Sequence, residues 1–558
     1  MSSSTGAGCC VGRIGGLAVM LGIGAAMALG TGVAWAEGPQ RAESGRSADS
    51  GSVGAGAAAG PARDARPIRS STSRTARPAV AASAKPASTA STASAGSSHI
   101  ASVALPAAAT AAEPGNGPAA PLSTPATWAV AAMSRRDPGR GVRLAGASVS
   151  PSAAVVKATP TSLTSGQLGW VTGQRNNAFP GLTWAQTNNT KWAEVYGTDL
   201  GIMWFNGVNG YTQLAFGDTF GGPNMSGDWR SNVLLLSDDT ELYDGLSLID
   251  TGYAPQFIPA ARNQVFFIGS EVTNIPTAAI YADDENYVNY MSVKSWDTPG
   301  RWTTNYSAIS MYDPATDKWV LQPATVRSAG WFRSSTPYVA GNQNFQQMAY
   351  VLQPEDQVAP GGTRYLYAFG TPAGRAGSAF LSRVPETTIT DLSQYEYWDG
   401  STWVLDRPAV AAPVIGDSPN SGGLFGFFID LANNPNFFGG WFAGFTGAKT
   451  GGNVSEMSVQ YNEYLGKYVM LYGNGFNNVI LRTADTPEGQ WSDPVTIATS
   501  FSYPGLYAPM IHPLSGTGLL TDSAGDPDLS TLYWNMSIWS NYNVVLMETD
   551  LSALQTVV

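Results

Sequence analysis

YGTDLGIMWFNGVNGYTQLAFGD, residues 196–218, sets two β-rich runs on either side of a glycine-bearing loop. Leu200 to Phe205 and Tyr211 to Phe216 flank Asn-Gly-Val-Asn-Gly, and a loop of that length and chemistry between such runs predicts a hairpin. Folded symmetrically, paired positions sum to 417, which sets Phe205 opposite Thr212, Met203 opposite Leu214 and Asp199 opposite Asp218. Directly opposed residues share a face with Cβ atoms about 4.5–5.5 Å apart, where like charges destabilise a sheet. One reading of the two carboxylates is functional: they cannot both ionise easily, so one becomes an acid and the other a base or nucleophile. The other is local, since Thr-Asp-Leu-Gly and Gly-Asp-Thr each suit a bend capped by side-chain to backbone hydrogen bonds. Spacing alone leaves both open. It also bears on stereochemistry, because direct opposition favours the spacing of about 5–5.5 Å found in retaining glycosidases, and an offset pair favours the wider inverting one.

Charge is distributed unevenly along the 558 residues. Residues 1–165 hold 14 of the 30 Lys and Arg and 6 of the 41 Asp and Glu, net +8 (14 − 6), and the remainder is net −19 (16 − 35). So acidic a domain argues against nucleic acid as a partner, which requires clustered Lys and Arg. Arg13, the apolar stretch from Leu17 to Leu29 and the small-x-small Ala34-Trp35-Ala36 read as a signal peptide over residues 1–36, which places the mature chain outside the cytoplasm, secreted or in the cell envelope. The apolar run is too short and glycine-broken for a membrane span, so none is expected after cleavage. Cys9 and Cys10 both lie inside this segment, and a domain large enough to bury its own core does not require disulfides. Residues 37–165, dominated by Ala, Ser, Thr, Pro and Gly, carry too few large apolar side chains to offset chain entropy and read as a disordered linker. Its basic excess suits an anionic envelope surface, and an inert spacer is the simpler role.

After Ser165 aromatic residues become frequent, and short β-rich runs alternate with Gly, Asn, Asp and Pro. Long amphipathic helical patterns are missing, so residues 166–558 are expected to form an all-β domain. Units of about four strands, with polar turns followed by tryptophan in MYDPATDKWV (311–320), YWDGSTWV (397–404) and TADTPEGQWSDP (483–494), predict a β-propeller. Five blades are expected, at 194–240, 264–320, 335–404, 454–497 and 506–550, as a monomer with the last strand closing the ring against early strands. A Gly/Phe-rich insertion at 422–452 interrupts the series. Its aromatics could line a sugar-binding rim, but packing against the propeller is the safer expectation, since exposed aromatics at that density invite aggregation.

The histidine count limits the chemistry. His99 lies in the linker, which leaves His512 alone in the folded region, too few for a His-rich zinc site, and no nucleophile elbow is present. Asp238-Asp239 and Asp283-Asp284 lack the spacing of a calcium loop. No metal and no cofactor are expected, and carboxylate chemistry remains. Glycoside hydrolysis needs two carboxyl groups together with aromatic faces and polar donors for sugar hydroxyls. Candidate substrate-binding residues are Arg230 and Asn232 beside Trp229, Glu271, Tyr290, Arg375, Asn474 and His512. Each also has a structural reading, as an ion pair, a turn residue or a buried hydrogen-bonding group.

YGTDLG, AFGDTFGG, WRSNVL, IPTAAI, YVNYMSV, LYAFGTPAGR, FLSRV, YEYWDG, MSVQYNEYLGKYVMLY and LYWNMSIWSNYNVVLMETDL resemble, in order, the motifs of the DUF4185-type five-bladed propellers, the endo-D-arabinanases of glycoside hydrolase family 183. The resemblance runs from about residue 170 to 552. It implies an endo-acting hydrolase of α-linked D-arabinofuranan, such as that of arabinogalactan and lipoarabinomannan, with Asp199 and Asp218 catalytic. The Phe-rich insertion has no counterpart in that pattern. A non-catalytic propeller that binds or scaffolds envelope glycan is the alternative, since a fold can persist without its activity.

Overall fold

The computed structural model describes residues 160–173, 184–260, 264–266, 270–298 and 300–555. The signal peptide, and the linker up to residue 159, lie outside the described residues. Five sheets stand around one axis. Their innermost strands are Leu200–Phe205, Thr273–Ala282, Gln347–Leu352, Met457–Asn462 and Leu506–Ile511, each beside the next and the last beside the first. This is the all-β, five-bladed propeller that the strand pattern predicts.

Antiparallel partners continue outward from each inner strand. In the second blade the order is Thr273–Ala282, Glu285–Thr298, Arg301–Asp313 and Lys318–Leu321, which is also chain order. The last blade differs at its rim. Leu506–Ile511, Thr531–Ile538 and Asn543–Asp550 are followed by Ser165–Trp170, brought from the start of the domain. The hydroxyls of Ser165 and Thr549 meet at 2.7 Å across this seam. The fold also reaches into the end of the expected linker, where the amide of Leu163 donates to the carbonyl of Thr496. This pairing covers the edge of Asn543–Asp550, and the closed ring turns the edges of the innermost strands toward the axis.

LGIMWF and TQLAF read as nearly unbroken apolar runs because both faces of these strands are covered, one by each neighbouring blade. The tryptophans after the polar turns fill the gaps. Trp319 of the second blade packs edge-on to Trp204 of the first, Trp491 of the fourth meets Phe369 of the third, and Trp403 lies against Trp398 and Tyr367. The turns are closed by aspartate: Asp313 accepts from the amide of Ala315, and Asp399 from those of Ser401 and Thr402.

The hairpin register holds near its loop and slips further along. Phe205 pairs Thr212 and Met203 pairs Leu214, but Leu200 pairs Phe216, because Gly201 is an extra residue bulged out of the ladder. Leu200 and Gly201 both have left-handed backbone, at φ 70° and 74°. Asp199 is therefore opposite Gly217, whose amide donates to its carbonyl at 3.1 Å, and the expected direct opposition to Asp218 does not occur. A bulge shifts pairing by one residue and re-aims what precedes it.

The Phe-rich insertion folds into two short helical pieces, Gly426–Ala432 and Ala443–Thr446. Its aromatics divide between roles. Phe428, Phe437 and Phe442 are half-buried, but Phe425, Phe427, Phe438 and Phe445 are exposed, against the expectation that the segment packs down on the propeller.

Candidate active site

The five inner strands run in the same direction, so their starts gather at one mouth of the axis and their ends at the other. Asp199, Gln347, Glu456 and Leu506, each at or just before the start of an inner strand, line a cleft at the first mouth. Phe205, Tyr281 and Leu352, near the strand ends, line a second opening. Thr277, Met457 and Met510 border both and separate them.

Asp199 and Asp218 both face the first cleft. The residues beside them are clamped together, with the hydroxyls of Thr198 and Thr219 2.7 Å apart. Leu200 is held in its left-handed conformation by its amide, which donates to Ser537 Oγ at 2.8 Å. Glycine is needed at 217 because a Cβ there would collide with Oδ1 of Asp199. The motifs GTDLG and FGDT thus follow from two close backbones and one carboxylate between them.

The two carboxylates have different surroundings. Tyr507 donates to Asp199 Oδ2 at 2.9 Å, and Asp199 Oδ1 is buried, with the Tyr542 phenol a further donor to this carboxyl group and no well-formed hydrogen bond to Oδ1 among the described residues. Burial first, then the charge of Asp218, pushes the Asp199 carboxyl up to about 8, with Glu456 adding to the push and Tyr507 and Tyr542 opposing it. Asp218 is buried and accepts from Thr273 Oγ1 at 2.7 Å. Burial raises it too, to about 7, with Thr273 and Trp229 holding it down. Burial, and then the charge of Asp199, keeps the Tyr507 and Tyr542 phenols protonated well beyond their ordinary range. Both carboxyl groups are thus raised toward the neutral range, and the charge of one opposes ionisation of the other.

A third carboxylate, Glu456, has no motif in the sequence to announce it. It faces the same cleft and pairs with Arg375 through both oxygens, with Nη2 to Oε1 at 2.8 Å and Nε to Oε2 at 3.1 Å. The Arg375 guanidinium also lies 5.3 Å from the ring centre of Tyr507 and 5.8 Å from that of Trp302. Glu456, Arg375, Tyr507 and Asp199 form one connected chain. The only available sequence signal was position, since Glu456 immediately precedes an inner strand just as Asp199 does. Trp296, Trp302 and Trp539 add aromatic faces to the cleft wall.

Of the seven predicted binding residues, Arg375 borders the cleft. The other six are not among the residues that line it. Arg230 is buried and donates to the carbonyls of Ala193, Ala254 and Glu194, with Asp228 beside it. Asn232, fully buried, ties its blade to the next by accepting from the amides of Phe257 and Ile258 and donating to the carbonyl of Asn274. Glu271 accepts from Ser292 Oγ at 2.7 Å. Tyr290 is fully buried against Tyr306. Asn474 accepts from the amides of Phe476 and Asn478 in a turn. His512 is fully buried, accepts from the amide of Leu514, and is lowered by burial to about 3, so it is neutral. Arg230, Asn232 and Asn474 bond backbone groups of neighbouring strands or turns, a use of polar side chains that composition alone does not distinguish from binding. Among the described residues no cluster of three His, Cys, Asp or Glu side chains is placed to hold a metal ion.

Residues 185–424 and 429–548 match the family described as a domain of unknown function, DUF4185. The chain is similar to the solved α-L-arabinofuranosidase of Podospora anserina in complex with cellotriose, at 10% identity and a TM-score of 0.33, covering 71% of this chain and 99% of that one. It is likewise similar to the native arabinanase of Bacillus subtilis, at 12% identity and a TM-score of 0.32, covering 63% and 96%. Comparison with curated proteins finds no match.

Proposed function

The chain belongs to the DUF4185 family, and from that premise we propose that it is a glycoside hydrolase acting within D-arabinan chains at α-D-arabinofuranosyl linkages. The observation that carries this reading is that two aspartates face one cleft with carboxyl groups raised to about 8 and about 7. Such a pair can donate a proton to a leaving sugar oxygen and accept one from water in the same pH range. In this reading Asp199 is the general acid, since Asp218 and Glu456 both disfavour its charge. Asp218, with Thr273 donating to it, is the base. The offset of Asp199 to Gly217 favours the wider spacing that leaves room for a water molecule, and so inversion at the anomeric carbon. Trp296, Trp302 and Trp539 would stack on sugar faces, and Arg375 would orient the acid rather than bind substrate.

The motifs from YGTDLG to VVLMETDL support D-arabinan as the substrate, and the apolar segment before Ala36 supports action outside the cytoplasm, secreted or in the cell envelope. The test is release of oligosaccharides from D-arabinan and from plant L-arabinan by wild type, Asp199→Asn and Asp218→Asn. Release from D-arabinan alone, lost in both folded variants, with the first-formed reducing end inverted by NMR, is the expected result. Unchanged release by the variants would leave a glycan-binding propeller as the better description.

A further inference from the structure

The 422–452 insertion bears apolar side chains that the fold leaves exposed. Leu424 is 89% exposed, Phe427 71%, Phe438 72% and Phe445 61%, and Phe332 on the adjoining loop is 61% exposed. Phe332, Phe438 and Phe445 belong to one face joined by ring contacts, while Phe427 meets Phe428. Phe332 meets Trp331, Trp331 meets Trp441 at 4.5 Å and stacks on Phe445, and Trp441 leads through Phe442 to Phe438. The Trp331 indole donates to the carbonyl of Trp441, and its amide to that of Gly444, so the loop and the insertion are one unit. That unit is fastened beside the cleft: the amides of Gly451 and Gly452 donate to the carbonyl of Ala376, next to Arg375.

The charge on this face runs against the acidic domain. From Ser418 to Gly452 there is one acid, Asp430, whose carboxylate accepts from the amide of Ser421, and one base, Lys449. At its edge Arg333 follows Phe332, the charge of Arg333 acts on Lys294, Asp297 acts on both cations, and neither makes an ion pair among the described residues. Exposed Phe, Trp and Leu on short helical pieces, bordered by cations, is the composition of a surface that sits at the lipid headgroup boundary. Sugar hydroxyls would find few polar partners among the phenylalanines.

We propose that this aromatic face docks on the surface of an anionic phospholipid bilayer and holds the cleft close to it. The phenyl rings and Leu424 enter the acyl boundary, while Lys294 and Arg333 meet headgroup phosphates. Residues 37–165, net +7 (13 − 6), carry charge of the same complementary sign. Because the reading needs no turnover, it stands or falls separately from the hydrolase assignment.

The full chain is centrifuged with sucrose-loaded vesicles of phosphatidylglycerol and phosphatidylcholine, and with vesicles of phosphatidylcholine alone. Expected are binding to the anionic vesicles and a loss of roughly tenfold or more in partitioning for the triple variant Phe332→Ser, Phe438→Ser, Phe445→Ser. The basic 37–165 segment is common to both proteins, so it cannot produce that difference. Lys294→Gln with Arg333→Gln should weaken binding to anionic vesicles and leave the phosphatidylcholine result unchanged. All variants should keep the wild-type melting temperature, since the altered side chains are at the surface. Equal binding by the triple variant, no binding by wild type, or a wild-type dimer that the triple variant converts to monomer would each overturn the proposal.

Discussion

The phenol of Tyr507 donates to Oδ2 of Asp199 at 2.9 Å, with the Arg375 guanidinium 5.3 Å from the centre of the same ring. A donor on the charged form lowers a carboxyl pKa, so this bond keeps Asp199 from rising above about 8. Tyr507→Phe keeps the ring beneath Arg375 and removes only the donor. We expect the alkaline limb of the kcat/KM profile on D-arabinan to move to higher pH, with kcat reduced on the order of tenfold. A limb that stays in place would remove Tyr507 from the control of the acid.

Glu456→Gln should move that limb the other way. Its negative charge helps to raise Asp199, and its loss also frees Arg375, whose positive charge further favours ionised Asp199. The acid then deprotonates earlier, and activity between pH 7 and 8 falls. Losing one charge of a largely buried pair also destabilises, by about 3–5 kcal/mol for complete removal of a partner and less where glutamine still accepts a hydrogen bond. A purely structural role would lower the melting temperature with no change in the pH profile.

Stability should decline with pH on account of the two aspartates. Their folded values, about 8 and about 7, lie above the ordinary 3.8, so the folded state binds more protons than the unfolded state between these limits. The contribution is fully present below about pH 4 and is lost as pH rises toward 7–8. Asp218→Asn removes one such group. Its melting temperature relative to wild type should therefore increase from pH 4 to pH 8, and a constant difference over that range would contradict the raised carboxyl.

Gly201→Ala tests the bulge. At φ 74° an alanine is strained, and its Cβ would lie 3.0 Å from Asn535 Nδ2 and 3.3 Å from both Phe216 and Val544. A cost of about 1–3 kcal/mol is expected, seen as an earlier urea midpoint. Because relief of the strain would tend to draw Asp199 back toward direct opposition with Asp218, turnover should fall by more than the lost stability explains.

The propeller was legible because its signals are local. Alternation, turn aspartates and the tryptophans that follow them each depend on a few neighbouring residues, and Trp319, Trp403 and Trp491 stand between or against strands as that pattern requires. The bulge was not, since nothing in Leu200 announces a left-handed leucine; the hydrogen bond from its amide to Ser537 Oγ, 337 positions away, helps to hold it. Arg230, Asn232 and His512 looked like binding groups for a related reason. Their partners are backbone amides and carbonyls of other segments, which leave no trace in composition. Glu456 was hidden by its setting, directly after an insertion, although its place before an inner strand is the same as that of Asp199.

The seam of the last blade also constrains when the molecule can be completed. Ser165 and Thr549, 384 positions apart, meet in one sheet, so the ring cannot close until nearly the whole chain is available. The first four blades can assemble as an open arc whose terminal edges find each other last, a slow search because the loop being closed is nearly the whole domain. Until then the arc presents unpaired strands at both ends, the stage at which another copy could capture them. Trimming residues 160–170 would therefore leave a chain that reaches the arc and stops, with the edge of Asn543–Asp550 uncovered.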